Sequence, residues 1–473
     1  MLHRTLSGAT LTAALLAFAA AALALLAPPS DSDLFWHLAS GDWMLGHARV
    51  LDHDVFSFTR AGAVYSTGQW LGEIVLALAF QAGGWLGITL LRTTLIAIAT
   101  FFMARAVLRA QPHVGWAAFP ALALILETRA IWGDRPQLFS LALFPLVLDL
   151  LLTTREDRRA RRLWLVPPLV AIWANLHGAF AAGLALIAIF AVEAWLVGDR
   201  RLARALAFAA GGSLAASVLN PAGLGALAAG VSYASTSGAQ VIEEGPLDVL
   251  TGRGAIFAAF LLAALLTAII LGREGVAERI GPSAFLWAGL ITPFALLGLA
   301  IQRQAPFACM TMAPFVAAAV PAALGRMRVM APRVPLAFAA PVLAAAGVAL
   351  LFEILLAAPR APDLSAFPEG ALDSLARTRG NLLNEYDWGG YLIRAAPAHP
   401  VFVDGRGATL YVQLLGDFDE AVRLGPGYRE VLAKWDIALT LLRPDRPLAV
   451  VLREQGWRVL GESPPRWVLL ARP

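Results

Sequence analysis

The stretch Asp31-Ser32-Asp33-Leu34-Phe35-Trp36-His37 follows directly after an apolar run from Leu6 to Leu26. A run of that length can cross a bilayer as one helix. Two carboxylates and an imidazole therefore lie where the chain leaves the membrane, and charged groups at that depth are unfavourable unless they are paired or used. The stretch predicts a membrane fold with chemistry at the membrane surface.

The composition of the whole chain indicates a membrane protein with many spans. Of its 473 residues, 59% are hydrophobic and 15% are charged, whereas a soluble domain has about 25% charged residues. The mean hydropathy is +0.67. A single core cannot hide this much apolar surface from water, so most of it must face lipid or other helices. The single cysteine, Cys309, excludes a disulfide within the chain and a cysteine-based metal site.

The net charge of +4 and the isoelectric point near 9.6 do not indicate a nucleic-acid partner. The arginines fall in short clusters between apolar runs, as from Arg155 to Arg162, which is the pattern of a positive-inside topology. By length and hydropathy, about eleven spans are predicted, at 6–27, 84–104, 114–131, 136–153, 163–176, 179–197, 205–219, 254–272, 283–300, 305–324 and 334–357. With the N-terminus cytoplasmic, the first long loop and the C-terminal segment lie outside. The location expected is the bacterial inner (plasma) membrane, with a periplasmic C-terminal domain.

Two parts of the chain are not spans. The predicted membrane domain, 1–357, contains a first external loop at 28–83, in which helices are expected at 33–45, with Ser32 as N-cap, and at 70–81. The remaining residues, 358–473, alternate strand and helix patterns and predict a small α/β extracytoplasmic domain. Its strands are predicted at 401–404, 437–442, 457–460 and 467–470. The fold class is therefore an all-α polytopic membrane domain followed by a small α/β domain.

The acidic stretch contains the first candidate catalytic group. Asp33 and His37 are spaced i, i+4, so a helix places them on one face, with Trp36 beside them. A carboxylate here can act as general base towards an acceptor hydroxyl. Asp31 and Asp33 together can hold a divalent cation, Mg²⁺ or Mn²⁺, through oxygen ligands, although no cofactor is required by the sequence. N-capping alone is the alternative interpretation, and the two are compatible.

Later loops contain candidate substrate-binding residues. Arg135 closes the charged turn 127–135, and its forked, permanently charged side chain suits a phosphate headgroup. His177 interrupts two apolar runs and can donate to a phosphate oxygen. Arg303, between two further spans, is a second phosphate candidate, and Glu243 lies in the largest later loop. The alternatives are a self-paired ion cluster at 127–135, a hydrogen-bonded turn histidine and a snorkelling arginine.

The C-terminal segment contains two compact polar and aromatic clusters, Tyr386-Asp387-Trp388-Gly389-Gly390-Tyr391 and Asp404-Gly405-Arg406. Aromatic rings with carboxylates suit sugar binding, and glycine-anchored turns explain the same residues equally well. The sequence contains no P-loop, dinucleotide fingerprint, HExxH or GxSxG motif.

The chain resembles the membrane glycosyltransferases of the GT-C superfamily. Members have an acidic motif in a long first external loop that contains helices parallel to the membrane, and here Asp31 and Asp33 occupy that position. A closer resemblance, to poorly characterised bacterial membrane proteins, covers nearly the whole chain. It rests on the motifs Asp33-Leu34-Phe35-Trp36-His37, Gly41-Asp42-Trp43, Asp54-Val55-Phe56-Ser57, Arg135-Pro136-Gln137-Leu138, Trp173-Ala174-Asn175-Leu176-His177-Gly178 and Trp388-Gly389-Gly390-Tyr391-Leu392.

The resemblance implies inverting transfer of a hexose or pentose from a polyprenyl-phosphate donor to a glycan, lipid or protein acceptor at the external face. Asp33 takes the acceptor proton, while Arg135, Arg303 and His177 stabilise the departing phosphate. We expect these groups to share one cavity. The alternatives are a membrane transport protein, for which Arg92 within a span is a hint, and a non-catalytic protein of envelope polysaccharide assembly.

Overall fold

The computed structural model describes residues 8–65, 68–225, 245–281, 283–326, 357 and 359–473. Glu243 and all but the last residue of the predicted span 334–357 lie outside the described residues. The chain divides into two compact units. The first, here called the membrane unit, comprises Met1–Ala27 and Thr89–Pro359, and the second, called the loop–tail unit, comprises Pro28–Ile88 and Arg360–Pro473.

The membrane unit is helical throughout its described part. Its helices are α1 (Gly8–Leu26), the later part of α3 (Trp70–Ala110), α4 (Val114–Thr128), α5 (Gln137–Asp157), α6 (Val166–Leu176), α7 (Phe180–Leu196), α8 (Arg200–Ser217), α9 (Gly252–Arg279), α10 (Ala284–Ala300) and α11 (Ala305–Arg326). Short 3₁₀ turns occur at Arg129–Ile131, Ala160–Leu165 and Gln302–Gln304. Six helical segments among the described residues are long and apolar enough to cross a membrane, and α7 and α10 are shorter apolar helices. The polytopic helical fold is confirmed, whereas the number of about eleven spans stays a prediction.

The centre of the membrane unit is formed by α5 and α11. Their most apolar windows are 83% and 78% buried by protein, against 22% to 44% for the other long spans. Phe144 of α5 packs edge-on against Phe294 and Phe307, with ring centroids 5.4 and 5.1 Å apart. Because an aromatic side chain buries a large apolar area in such a contact, this cluster fixes α5 against α10 and α11. The outer helices retain the apolar surface that lipid covers.

The loop–tail unit combines helices with one four-stranded sheet. Its elements are α2 (Ser32–His47), the beginning of α3, α12 (Leu372–Leu375), β1 (Asn381–Asn384), α13 (Gly389–Ala395), α14 (Gly407–Leu410), α15 (Leu414–Val422), α16 (Tyr428–Lys434), β2 (Ile437–Leu442), α17 (Pro447–Glu454), β3 (Arg458–Ser463) and β4 (Trp467–Ala471). The strand order is β1-β2-β4-β3, in which only β1 and β2 run parallel. The small α/β fold is confirmed. The strand predicted at 401–404 is wrong, since Val401 makes only an isolated bridge to Ser57, and β1 was not predicted.

Two details differ from the helices expected in the first external loop. Asp31, not Ser32, is the N-cap of α2, because its Oδ1 accepts a hydrogen bond from the Asp33 N–H at 3.0 Å. The helix predicted at 70–81 continues into the following span as the single element α3, with a break at Gly84. Gly84 has a φ of 57°, a left-handed conformation that glycine adopts without a steric penalty.

Candidate active site

The beginning of α2 holds Asp33 in a defined position within the loop–tail unit. The Asp33 side chain is partly exposed, and its Oδ1 accepts a hydrogen bond from Trp36 Nε1 at 3.1 Å. The capping bond from Asp31 fixes the backbone of the same residue. The Trp36 bond stabilises the ionised form of the Asp33 carboxylate, and the capping bond holds its backbone in place. The local structure therefore suits a carboxylate that acts as a base.

Glycines of the C-terminal segment make room for this carboxylate. A Cβ at Gly405 would lie 1.9 Å from Asp33 Oδ1, and a Cβ at Gly390 would lie 2.7 Å from the Ser32 carbonyl oxygen. A side chain at Gly405 would displace the Asp33 carboxylate, and one at Gly390 would displace the backbone at the start of α2. The two tail clusters that the sequence suggested as sugar-binding or turn motifs thus supply the backbone surface against which Asp33 lies.

His37 has a different environment from Asp33, although both lie on α2. Its side chain is buried, and its Nδ1 lies 3.2 Å from Oε1 of the buried Glu73. The ring of the buried Trp36 lies against it, with centroids 3.5 Å apart. The pairing with Glu73 orients the imidazole and joins α2 to α3, which suits a positioning residue better than one that meets a substrate.

A second buried cluster joins the first loop to the C-terminal segment within the same unit. Arg406 donates to Asp54 Oδ1 at 2.6 Å and to Asp404 Oδ2 at 2.6 Å, and all three side chains are fully buried. The Tyr411 hydroxyl donates to Asp404 at 2.7 Å, and burial raises the pKa of Tyr411 well above its usual value. Asp54 also accepts from the backbone and hydroxyl of Ser57. Among the described residues, the charges of this Arg406 network compensate one another, which favours a structural role.

The membrane unit places His177 at the end of a hydrogen-bonded relay. Trp173 Nε1–H donates to Ser140 Oγ at 2.7 Å, so the Ser140 hydroxyl hydrogen is available for His177 Nδ1, which is 2.8 Å away. The Ala179 N–H approaches the same Nδ1 at 3.3 Å. Because Nδ1 accepts from both neighbours, the ring proton is assigned to Nε2, which becomes a donor.

The electrostatic surroundings keep this imidazole neutral. Burial among the helix ends and the positive charges of Arg303 and Arg135 lower the pKa of His177 from 6.5 to about 3. Arg135 and Arg303 lie in loops 168 positions apart in the chain. The positive charges of both nevertheless lower the pKa of His177 within the membrane unit. Both arginines are thus near enough to lower the pKa of His177, and binding of one phosphate by all three residues stays a prediction.

The charged turn at 127–135 is not the self-paired cluster considered as its alternative. Asp134 is paired with Arg92 of α3 at 2.7 Å, and Arg92 also donates to the carbonyl oxygens of Ala24 and Ala27 at the end of α1. Arg92 thus provides hydrogen bonds to the free carbonyl groups at the C-terminus of α1. This structural role explains a charged residue within a span, which the sequence had offered as a hint of transport.

Glu127 is the exception in this turn. Its side chain is fully buried, and neither carboxylate oxygen has a hydrogen-bond partner among the described residues. Arg253 attracts Glu127, yet the part of the chain that the structure describes contains no ion pair within 4.0 Å between them. From the sequence, Glu127 was expected to belong to one charged cluster with Arg129, Asp134 and Arg135. Its lack of hydrogen bonds among the described residues was not predicted, because the helices that surround it come from distant positions in the chain.

The predicted cation site has only two carboxylates. Asp31 and Asp33 each use one oxygen to hold α2, and the described residues contain no group of three or more His, Cys, Asp or Glu side chains placed to bind a metal. Mg²⁺ often takes one or two protein carboxylates and completes its shell with water and substrate phosphate. Asp31 and Asp33 fit that limited role, and metal dependence stays a prediction.

The candidate residues thus form two groups. Asp31, Asp33, Trp36 and His37 lie in the loop–tail unit, whereas Arg135, His177 and Arg303 lie in the membrane unit. Each group is described within its own unit, and a cavity common to both stays a prediction. The packing role of Gly390 and Gly405 was missed, although the sequence singled out both motifs, because their contact with α2 joins positions far apart in the chain.

No family model and no curated protein matches the chain, but solved structures do. The oligosaccharyltransferase of Archaeoglobus fulgidus in the apo form matches with a TM-score of 0.56 and 12% identity, over 91% of this chain and 69% of that one. ArnT from Cupriavidus metallidurans bound to undecaprenyl phosphate matches with a TM-score of 0.51 and 12% identity, over 99% of this chain and 98% of that one. Both are GT-C membrane glycosyltransferases. At 12% identity these matches concern the fold alone, and they confirm the expected GT-C-like fold.

Proposed function

We propose that the protein is an inverting membrane glycosyltransferase that uses a polyprenyl-phosphate-linked hexose or pentose. The observation that carries the proposal is the convergence of Arg135, Arg303 and a neutral, Nε2-protonated His177 in the membrane unit. The similar structure of ArnT contains undecaprenyl phosphate. A lipid carrier of this kind has a phosphate group that two arginines and an imidazole N–H can bind.

In this proposal the three donors act on the leaving group. The negative charge on the carrier phosphate increases as the glycosidic bond breaks, so fixed positive charges and an N–H donor stabilise the transition state more than the ground state. Neutral His177 donates without carrying charge into the site. Asp33 takes the proton of the acceptor hydroxyl as that oxygen attacks the anomeric carbon, while Asp31 and His37 keep α2 in position.

Binding and chemistry can be tested separately in the purified protein. Undecaprenyl phosphate should raise the melting temperature of the wild type, and Arg135→Gln/Arg303→Gln should lose this shift. Arg201→Gln, an exposed arginine of α8, is the matched control. Asp33→Asn should keep the shift and lose the transfer of labelled sugar, from a panel of polyprenyl-phosphate hexoses and pentoses, to a cell-envelope fraction.

Two results would contradict the proposal. If undecaprenyl phosphate stabilises the double variant as much as the wild type, the phosphate role is wrong. If Asp33→Asn transfers sugar at the wild-type rate, the assignment of the base is wrong. The location proposed for this reaction is the periplasmic face of a bacterial inner membrane, with the N-terminus cytoplasmic.

A further inference from the structure

A cleft at one end of the sheet in the loop–tail unit has no role in the reaction described above. It lies where β2 and β3 begin and β4 ends, and its volume is about 660 Å³. Arg458 pairs with Ala471 in the β3–β4 ladder, and the Arg472 N–H donates to the Ala438 carbonyl. The turn before β1 brings in Arg377 and Arg379. Four arginines from three separate segments therefore line one concave surface.

The turn that contributes two of these arginines lies directly on the sheet. Gly380, at its end, has a φ of +119°, and a Cβ there would lie 2.6 Å from the Ala438 Cβ. Only glycine allows the chain to approach β2 so closely. The position of Arg377 and Arg379 at the cleft is thus determined by the backbone and not by the choice of side-chain rotamer alone.

The positive charge in the cleft is mostly not neutralised by the protein. Arg472 pairs with Asp436 at 2.9 Å, but Arg377, Arg379 and Arg458 have no carboxylate within 4.0 Å among the described residues. Other arginines of the same unit do have such partners, among them Arg394, Arg406 and Arg446. Ser374, Thr378 and the last residue, Pro473, complete the lining, so the four arginines leave the cleft with an excess of positive charge. A concave surface with such an excess attracts ions of the opposite sign.

The cleft also has an apolar floor. Leu439 and Ala471 are buried beneath it, and Leu460 contributes a partly buried side chain. Guanidinium groups bind carboxylates and phosphates with two parallel hydrogen bonds, and an apolar floor suits the C–H face of a sugar ring. The volume lies within the range of about 300–1,000 Å³ that is usual for ligand pockets. The rim and floor together match an anionic sugar better than an isolated phosphate ion.

We propose that this cleft binds an acidic saccharide, a uronate or a phosphorylated sugar, as part of the acceptor. The inference rests on the proposed function, since it names the chemical class of that acceptor. The cleft selects the acceptor by charge, and the transferred sugar does not enter it. Binding therefore weakens as the salt concentration rises.

The test uses the full-length protein in nanodiscs of neutral lipid. The probe is a fluorescent oligogalacturonate, and a maltooligosaccharide of equal length is its uncharged counterpart. The wild type should bind only the acidic probe, and Arg377→Gln/Arg379→Gln/Arg458→Gln should weaken this binding by about tenfold or more, because several charged hydrogen bonds are lost. Arg423→Gln/Arg429→Gln/Arg453→Gln removes three exposed arginines of the same unit outside the cleft and should bind normally.

Three outcomes would overturn the inference: equal binding of both oligosaccharides, equal binding by the two triple variants, or an effect of the cleft variant only on binding to phosphatidylglycerol vesicles. If pyrophosphate inhibits binding of the oligogalacturonate more strongly than chloride does at equal ionic strength, the result would support the inference. Undecaprenyl phosphate should stabilise the cleft variant as it does the wild type. If it stabilises neither protein, the donor assignment fails, whereas the oligogalacturonate measurement still decides the role of the cleft.

Discussion

The Arg406 network of the loop–tail unit and Glu127 of the membrane unit are both fully buried ionisable groups, but among the described residues only the first has hydrogen-bonded partners. Arg406 is compensated by Asp54 and Asp404 and is further bonded to Tyr411. Neither oxygen of Glu127 has a hydrogen bond among the described residues. Burial of a charge is unfavourable unless it is paired, so the closed network is required by the fold, whereas the isolated carboxylate is tolerated at the expense of stability.

This difference separates structural from functional motifs better than residue type does. In the sequence, both Asp404-Gly405-Arg406 and the turn at 127–135 were candidates for ligand binding. The first proves to be closed by its own contacts, whereas the second contains a carboxylate whose pairing is incomplete. A buried ionisable group within a membrane protein is a functional candidate when the fold does not use it.

Removal of Arg406 should have the largest effect. Arg406→Leu leaves Asp54 and Asp404 buried without their counter-charge, and we expect a loss of about 3–5 kcal/mol in the free energy of unfolding. The melting temperature and the protease resistance of the loop–tail unit measure the effect. Arg423→Leu, which breaks an exposed pair with Asp419, should change neither, and a similar loss in both variants would show that the network has no special role.

Gly405→Ala should have an intermediate effect. The new methyl group meets Asp33 Oδ1 and Trp36 Nε1 and must displace the Asp33 carboxylate from its bond to Trp36, at a cost of about 1–3 kcal/mol. Transfer activity should fall together with the melting temperature. Gly416→Ala is the control, because nothing lies within 4 Å of a Cβ at that position in α15. Normal activity of Gly405→Ala would mean that the position of Asp33 is not critical.

Glu127→Leu should move stability in the opposite direction from Arg406→Leu. The variant removes a buried carboxylate that has no hydrogen bonds among the described residues. The free energy of unfolding should therefore stay the same or increase by up to about 1–3 kcal/mol, and the melting temperature should not fall. We expect sugar transfer to fall in the same variant. Glu127→Gln keeps the shape and a buried polar group without hydrogen bonds, so its stability should resemble that of the wild type. Destabilisation as large as that of Arg406→Leu would show that Glu127 has a structural partner after all.

The last prediction concerns the dependence of stability on pH. The folded pKa of His177, about 3, is below its ordinary value of 6.5, so between these values the unfolded chain binds a proton that the folded chain does not. The contribution of His177 to the free energy of unfolding is therefore fully present above pH 6.5, and it is lost as the pH falls towards 3. The melting temperature should therefore drop less between pH 7 and 4.5 in His177→Gln than in the wild type. Equal drops would contradict a neutral His177.

Local patterns in the sequence predicted much of this structure. The helix expected at 33–45 is present as α2, and the strands expected at 437–442 and 467–470 correspond to β2 and β4. β1 was missed because Asn381–Asn384 has only four residues and no β-branched side chain. The strand expected at 401–404 has a suitable sequence, yet its neighbour in the fold is the loop at Ser57 and not a sheet strand.

The partners of the candidate residues could not be predicted in the same way. Their types and approximate depth follow from hydropathy and charge, and so Arg135, His177 and Arg303 were identified. Whether a buried polar or charged side chain has hydrogen-bond partners depends on contacts between distant segments. Examples are the contacts of Trp173 with Ser140 and of Asp33 with Gly405. A single sequence contains no signal for these contacts.

The pairing of Asp54 with Arg406 has a consequence for how the protein is made. The two residues are separated by 352 positions, so at a synthesis rate of about 5–20 residues per second the ribosome completes the second tens of seconds after the first. During that interval the early loop has no counter-charge and cannot reach its final form. A chain that ends before Arg406 lacks this counter-charge for the buried Asp54.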